Sequence, residues 1–316
     1  MADILYLVIP CYNEEEMLPI TKDILLKKLK GLIDADKISD KSRILFVNDG
    51  SKDKTWELIK KYHDEDEHFS GLCLSHNRGH QNALLAGLET AIKSCDMVVS
   101  MDADLQDDIN VIDQMIEKYY DGNDIIYGVR SSRKKDSFFK RFTAQKFYKI
   151  MNQMGSEVIY NHADYRLMSK KAVNALSEYR EVNLFLRGIV PMLGFKSDVV
   201  YYERGKREKG ESKYPLKKML SFAYEGITSM TLAPIYFIRN FGIVTSVLSF
   251  VAFVVCLVLY FLNFSHMMLF SILTFGLFLC GVSMTAIGLI GDYVGKTYLE
   301  SKHRPRYIIW DYINKE

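Results

Sequence analysis

Short apolar runs, each followed by a polar cluster and then by a stretch of helical spacing, constrain the N-terminal half of this chain more than any other feature. Ile4 to Pro10, Arg43 to Asp49, Gly71 to Asn77, Asp96 to Asp102 and Asp124 to Arg130 read as strands, with helices expected over Glu14 to Lys30, Lys54 to Tyr62, Gln81 to Ser94 and Ile109 to Tyr120. Near-continuous apolar strands alternating with helices imply an α/β fold: a Rossmann-like, mostly parallel sheet covered on both faces. Ligands of such sheets bind beyond the carboxyl ends of the strands, where every polar cluster of this half lies.

The fourth run ends in the most acidic of these clusters, Asp102, Asp104, Asp107 and Asp108. A chain that stays extended past Met101 presents Asp102, Asp104 and Gln106, at i, i+2 and i+4, to one side. Oxygen ligands so placed suit Mg²⁺ or Mn²⁺, which such sites hold with one or two carboxylates and the phosphates of a nucleotide. A chain this long holds about one Asp-x-Asp by chance, so the motif gains weight from its neighbours. Pro10-Cys11-Tyr12-Asn13-Glu14 offers Asn13 as a helix cap and Tyr12 as a flat face for a nucleobase. Asp49, in Asn48-Asp49-Gly50-Ser51, can accept the ring N–H of uracil or guanine, with Asp53 capping the next helix. Asn77-Arg78-Gly79-His80-Gln81-Asn82 adds a glycine for close approach and a guanidinium for phosphate. Turn chemistry explains any one of these clusters, but four at successive strand ends point to a nucleotide site.

In this order and spacing, VIPCYNEEE, VNDGSKDKT, NRGHQNALLAGL and DADLQDD resemble the nucleotide-sugar-binding half of family 2 inverting glycosyltransferases with a GT-A fold. The resemblance continues through Tyr165-Arg166-Leu167-Met168 and Arg204 to Tyr214 into a C-terminal hydrophobic pair. There it is to polyprenyl-phosphate glycosyltransferases of the bactoprenol glucosyltransferase type, relatives of dolichyl-phosphate mannose synthase. It implies Asp49 on the base, Asp102 on the ribose or metal, and Asp104 with Gln106 on the metal. Pro10, Tyr12, Glu14, Gly79 and Arg130 complete the nucleotide-sugar contacts it implies, and Arg133, Arg166, Arg204, Arg207 and Lys213 are implied for the acceptor phosphate. Asp164 is implied as catalytic, either as a base or as a group that orients Arg166 and the sugar. The chain departs from the family pattern at Asp107-Asp108-Ile109-Asn110, where D-P-P-E is common, and at Asn161-His162-Ala163-Asp164-Tyr165-Arg166, where D-x-G-D-F-R is common. Asn183-Leu184-Phe185-Leu186-Arg187-Gly188 stands where processive members carry Q-x-x-R-W, which argues against a polymerising synthase.

Beyond the sheet, Glu203 to Tyr214 is too polar for an element and reads as a basic loop, suited to a lipid-borne phosphate. From Pro215, the residues Leu216, Met219, Leu220, Ala223, Ile227 and Met230 share one helical face, which predicts an amphipathic helix over 215–237. Phe241 to Leu262 and Met267 to Ile290 carry no charged residue, and each exceeds the roughly 20 residues that a bilayer needs. They are expected to form a transmembrane hairpin over 238–291. The link between them lacks Lys and Arg, whereas Arg239 precedes the pair and Lys296, Lys302, Arg304 and Arg306 follow it. That bias places residues 1–214 and a 292–316 tail in the cytoplasm.

The net charge of +2 excludes a general nucleic-acid binder. Cys11, Cys73, Cys95, Cys256 and Cys280 are odd in number and without C-x-x-C spacing, so neither a disulfide framework nor a zinc site is expected. The N-terminus carries no signal sequence and enters a strand at once. The expected function is inverting transfer of a hexose or N-acetylhexosamine, from a UDP-sugar in the first instance, to undecaprenyl phosphate at the cytoplasmic membrane. Partners allowed by that expectation are a homo-oligomer and a lipid-sugar flippase. The alternatives are a transferase acting on a diacylglycerol hydroxyl and a non-catalytic membrane scaffold. A transporter would need charged or broken membrane helices.

Overall fold

The structure is a computed structural model and describes residues 2–131, 162–181, 184–203 and 265–315. Arg133, Arg204, Arg207 and Lys213, the expected amphipathic helix and the first expected membrane span lie outside the described residues. The chain divides into two compact units, Met1–Ala223 with Pro305–Glu316, and Tyr224–Arg304.

In the first unit the expected alternation is present. Strands β1 (Leu5–Cys11), β2 (Arg43–Asn48), β3 (Phe69–Leu74), β4 (Met97–Ser100) and β5 (Ile125–Arg130) alternate with helices α1 (Leu18–Asp34), α2 (Thr55–Glu65), α3 (His80–Ala91) and α4 (Ile112–Tyr120). They are followed by β6 (His162–Ser169), α5 (Lys170–Ser177), α6 (Leu186–Met192), β7 (Ser197–Tyr202) and, at the C-terminus, β8 (Ile309–Ile313). One eight-stranded sheet runs β7-β5-β6-β4-β1-β2-β3-β8. Strand β1 pairs in parallel with both β2 and β4, so the order reverses direction at β1 and opens a crevice at the carboxyl ends of β1 and β4.

Period-two alternation builds a core on each face. Leu5, Leu7, Ile9 and Cys11 of β1 enter the core beneath α1, α2 and α4, whereas Tyr6 and Val8 enter the one beneath α3, α5 and α6. Helix α1 answers with Leu18, Thr21, Leu25, Leu29 and Leu32, spaced at three and four residues. Leu25 and Leu29 are wholly buried, each contributing about 2 kcal/mol of apolar transfer.

Several expectations need correction. The strand after Cys95 ends at Ser100, and the chain does not stay extended through Gln106, because Leu105 takes a left-handed φ of 53° that turns it. Helix α1 begins at Leu18 rather than Glu14; Asn13 has a φ of 52°, and a turn follows in which the Met17 and Leu18 N–H groups donate to the Glu14 carbonyl at 3.0 and 2.9 Å. A 3₁₀ turn over Ile109–Val111, its N–H of Asn110 held by the Asp108 side chain at 2.9 Å, precedes α4.

Three strands have no counterpart among the five expected: β7 lies parallel to β5 at one edge of the sheet, and β6 and β8 are antiparallel. β6 inserts antiparallel between β4 and β5, with Arg166 opposite both Ser100 and Tyr127. β8 lies antiparallel along β3 and turns the end of the expected tail into an edge of the sheet. It is tied down where Arg306 donates to the Tyr179 carbonyl at 2.8 Å and pairs with Glu89 at 3.2 Å.

The second unit is described over α7 (Ser265–Ser301), a continuous helix that begins within the expected link and runs through the second expected span. Among the described residues no helix is long and apolar enough to cross a membrane. The contiguous part of α7 whose side chains are described, 286–301, carries Asp292, Lys296 and Glu300 four residues apart.

Candidate active site

The loops after β1 and β2 are laced together. Backbone N–H groups of Asn13, Glu14 and Glu15 donate to Ser51 Oγ, Thr55 Oγ1 and Asp53 Oδ2 at 3.0, 2.9 and 3.2 Å. In return, Lys52 and Lys54 donate their N–H groups to Asn13 Oδ1 and Glu15 Oε2, at 2.9 and 3.1 Å. Asn13 therefore caps no helix; its side chain holds the opposite loop. Asp53 does bind the first N–H of α2, that of Thr55, at 3.0 Å. Pro10 is buried within β1, and Tyr12 stands just past the end of that strand, 38% exposed.

Asp49 is buried, and both of its carboxylate oxygens accept backbone N–H groups from the loop after β3, Arg78 at 2.7 Å and Gly79 at 2.9 Å. Burial raises its pKa more than these amides lower it. Gly50 beside it has φ +61°, and a Cβ there would lie 2.5 Å from the backbone carbon of His76, so only glycine lets the two loops close. Asp49 thus shapes the loop that carries Gly79 and His80. In this structure a nucleobase would meet its carboxylate with two hydrogen bonds already made.

The acidic loop has two kinds of carboxylate. Asp107 is committed: Tyr202 donates its hydroxyl to Asp107 Oδ1 at 2.5 Å, and Arg130 Nη2 lies 3.5 Å from the same atom. Arg130 is thereby placed at the carboxyl end of β5, against β7. Asp104 is buried and accepts the Gln106 N–H at 3.2 Å, an Asx turn rather than a side-by-side ligand row. Asp102 keeps 39% of its side chain exposed. Enclosure among protein atoms pushes its carboxyl up to about 6, with Asp107, Asp104 and Asp164 adding repulsion and His80 pulling the other way.

Among the described residues, no three His, Cys, Asp or Glu side chains gather closely enough to cage a metal. The donor set nevertheless fits Mg²⁺ or Mn²⁺, which needs only one or two carboxylates when phosphates supply other oxygens. The ionised carboxyl of Asp102, disfavoured by enclosure and then by its acidic neighbours, is the group that such an ion would stabilise.

Asp164, on β6, has the opposite surroundings. Its Oδ1 accepts from Arg166 Nη2 at 2.7 Å, and its Oδ2 accepts from Arg187 Nη2 and Nε at 2.9 and 3.2 Å. These guanidiniums, with His80 adding to them, hold the carboxyl far below the usual carboxylate range despite burial. A carboxylate so stabilised is a weak proton acceptor. Arg166 is 1% exposed and also donates to the Leu186 carbonyl at 3.4 Å, so it lies inside the protein, where an acceptor phosphate does not reach it directly. His80 Nε2 stands between the two clusters, 3.6 Å from Asp102 Oδ1 and 3.8 Å from Asp164 Oδ2.

Four residues of this arrangement were not among the expected site residues: His80, Asp107, Arg187 and Tyr202. Asp107, His80 and Arg187 lay in stretches already singled out, Arg187 for another purpose, while Tyr202 comes from an element that only the fold brings here.

Residues 6–177 match the model of glycosyl transferase family 2. An uncharacterized glycosyltransferase of Bacillus subtilis (strain 168) is 49% identical over 306 residues, which cover 97% of this chain and 91% of the relative. A prophage bactoprenol glucosyl transferase homolog of Escherichia coli (strain K12) is 38% identical over 308 residues, 96% of this chain and 97% of the relative. The bactoprenol glucosyl transferase of Shigella phage SfV is 39% identical over 319 residues, with 96% and 97% covered.

Proposed function

The chain belongs to glycosyl transferase family 2, and from that premise we propose that it transfers a hexose or N-acetylhexosamine, with inversion, from a UDP-sugar to undecaprenyl phosphate or a similar polyprenyl phosphate. The observation that carries this is a pair of carboxylates in opposite surroundings, bridged by His80: Asp102, pushed up by enclosure and then by its acidic neighbours, and Asp164, held down by two guanidiniums. The acidic surroundings suit a cation shared with the donor diphosphate, and the basic surroundings suit a phosphate. Similarity to bactoprenol glucosyl transferases over 96% of the chain supports a lipid-borne acceptor phosphate.

A divalent ion at Asp102 and Asp104, with Gln106 beside them, would neutralise the departing nucleoside diphosphate. The chain's own residues do the rest. Tyr12 stacks on the base, and Asp49 holds the Arg78–Gly79 loop against the nucleotide. Arg130, set by Asp107 and Tyr202, meets donor phosphate. An acceptor phosphate oxygen attacks the anomeric carbon, the bond to the donor diphosphate breaks, and inversion follows. A phosphate monoester has a second pKa near 6 and is already largely ionised at neutral pH, so no base is required. Asp164 is accordingly an orienting group. The same weakness as a base disfavours a lipid hydroxyl as acceptor, because an alcohol would need its proton removed.

We place the first unit in the cytoplasm, with Phe241 to Leu262 and Met267 to Ile290 as a membrane hairpin, on the basis of their missing charges and the Lys and Arg that flank them. In a background without native cysteines, a cysteine at Ser265 should label from outside the cell and one at Ser301 should not; the reverse pattern would overturn this topology. The function is tested by incubating the full chain with undecaprenyl phosphate and a panel of nucleotide sugars, then identifying the lipid by mass spectrometry. A glycosylated undecaprenyl phosphate is expected. A glycosylated diacylglycerol, or no lipid product with any donor, would overturn the proposal.

A further inference from the structure

The chain holds two tryptophans, and they lie in opposite settings. Trp56 of α2 is buried, at 8% exposure, whereas Trp310 of β8 is 68% exposed. Ile308 and Ile309 just before it are 50% and 40% exposed, so three consecutive large apolar side chains face outward. Scattered apolar residues are ordinary on a protein surface, but an uninterrupted run of them marks a contact with something apolar.

The run is fixed in place on both sides. Arg306 pairs with Glu89 of α3 at 3.2 Å, and Tyr307 donates its hydroxyl to the same carboxylate. The Ser75 N–H donates to the Ile308 carbonyl at 3.0 Å. Ser75 opens the loop after β3, the loop whose Arg78 and Gly79 meet Asp49, so the run lies at the carboxyl end of the sheet, where the candidate site is. Two features disfavour a second copy of the chain added along the outer edge of β8. Cys73 pairs with Asp311 and Leu74 with Ile309, which makes Trp310 the extra residue of a bulge, and Asp311 puts a charge in the middle of the strand. The sequence before the run favours lipid instead. Only Lys302 to Ile308 separate α7 from β8, and Lys302-His303-Arg304-Pro305-Arg306 brings three cations and no carboxylate. Arg306 has Glu89, while Lys302 and Arg304 pair with no carboxylate among the described residues. Cations followed by an exposed tryptophan suit the headgroup layer of an anionic bilayer.

We infer that Ile308, Ile309 and Trp310 form a lipid-contacting rim that seats the carboxyl end of the sheet on the surface of an anionic bilayer. The inference rests on the membrane hairpin proposed above. Trp310 then lies at headgroup depth, with its ring against the upper acyl carbons and its indole N–H in the wet layer. A phosphate carried on a lipid would arrive from the surface on which this rim rests.

The test uses the full chain reconstituted in vesicles of phosphatidylcholine and phosphatidylglycerol, with Trp56→Phe leaving Trp310 as the sole tryptophan. Flotation first shows whether the vesicles carry the chain. Phosphatidylcholine brominated near the headgroup end of its acyl chains, or near their methyl end, then replaces part of the plain lipid. Trp310 emission should fall with either quencher, and further with the shallow bromines, as residence at headgroup level requires. Emission that bromine leaves unchanged in floated vesicles would overturn the rim and leave the hairpin standing. An aqueous quencher then tells what surrounds Trp310 instead: water if it quenches, another protein surface such as a second copy if it does not. A chain absent from the floated vesicles would overturn the hairpin, and the rim with it. If Trp56→Phe fails to fold, the emission of wild type minus that of Trp310→Phe decides the same question, and a difference signal untouched by bromine would overturn the inference.

Discussion

Asp102 and Asp164 stand at the ends of neighbouring strands and share His80, yet their surroundings drive them in opposite directions. Asp102 follows β4 into a loop rich in carboxylates, which helps lift its pKa to about 6. Asp164 faces Arg166 and Arg187, which hold its pKa far down. The groups that face the two carboxylates therefore differ in sign: other carboxylates near Asp102, guanidiniums at Asp164. Carboxylates of identical chemistry thus meet two environments: Asp102 stands among other carboxylates, while Asp164 pairs with arginines.

The sharpest way to break this contrast is Asp164→Asn. It leaves Arg166 buried without its counter-charge, which costs about 3 kcal/mol of stability by analogy with other buried pairs. The folded-state pKa is lowered, so the wild-type contribution is fully present above the unfolded value near 4 and is lost as pH falls below it. Thermal midpoints of variant and wild type should therefore differ by a constant amount from pH 6 to 9. Turnover of the variant, at saturating substrates, should be low and nearly flat across the same window. Recovery of tenfold or more over two pH units would instead identify Asp164 as the base.

On the acidic side, Asp104→Asn should reduce turnover by roughly a hundredfold, near 2.7 kcal/mol of transition-state stabilisation, while leaving the fold intact. Metal titrations should show a weakened requirement, and near-normal turnover at controlled metal concentration would remove Asp104 from the ion site.

Tyr202→Phe should cost about 1 to 2 kcal/mol, because it takes from the buried Asp107 its shortest hydrogen bond and leaves Arg130, at 3.5 Å, to meet the same oxygen. It should also weaken donor binding through Arg130, leaving acceptor binding unchanged. Equal losses for both substrates would mean that the Asp107–Tyr202 pair is only structural.

The smallest effect has the opposite sign. Asp102→Asn should raise stability by roughly 1 kcal/mol after discounting for solvent screening of this partly exposed group. A raised folded-state pKa means that the wild type loses stability as pH rises from about 4 to 6. The gain in the variant should therefore appear above pH 6 and vanish near pH 4. A variant less stable than wild type at pH 8 would mean that Asp102 already has its compensating charge.

Strands β1 to β5 and their helices were legible in the sequence because burial on both faces imposes apolar runs that a local window detects. β6 was not. Its His-Ala-Asp-Tyr-Arg-Leu start alternates polar and apolar groups, and Arg166 reads as exposed until a carboxylate two residues away and the Leu186 carbonyl are found around it. β7 and β8 escaped for another reason: Ser197–Tyr202 finds its partner in β5 and Ile309–Ile313 in β3, pairings no local pattern announces. The acidic motif was located correctly along the chain, but its geometry was not, because Leu105 turns where an extended strand was expected.

By itself, then, the sequence determined the α/β alternation, the strand-end position of the polar clusters and the family, all of which are written in local spacing. Only the tertiary structure decided which charges meet. Arg187 lies 23 residues from Asp164, Tyr202 lies 95 from Asp107, and Leu186 lies 105 from Gln81. The identity of a charged group's partner is set by the order of strands in the sheet. Its chemistry follows from that partner, since a pKa reports the field at the folded site rather than the residue type.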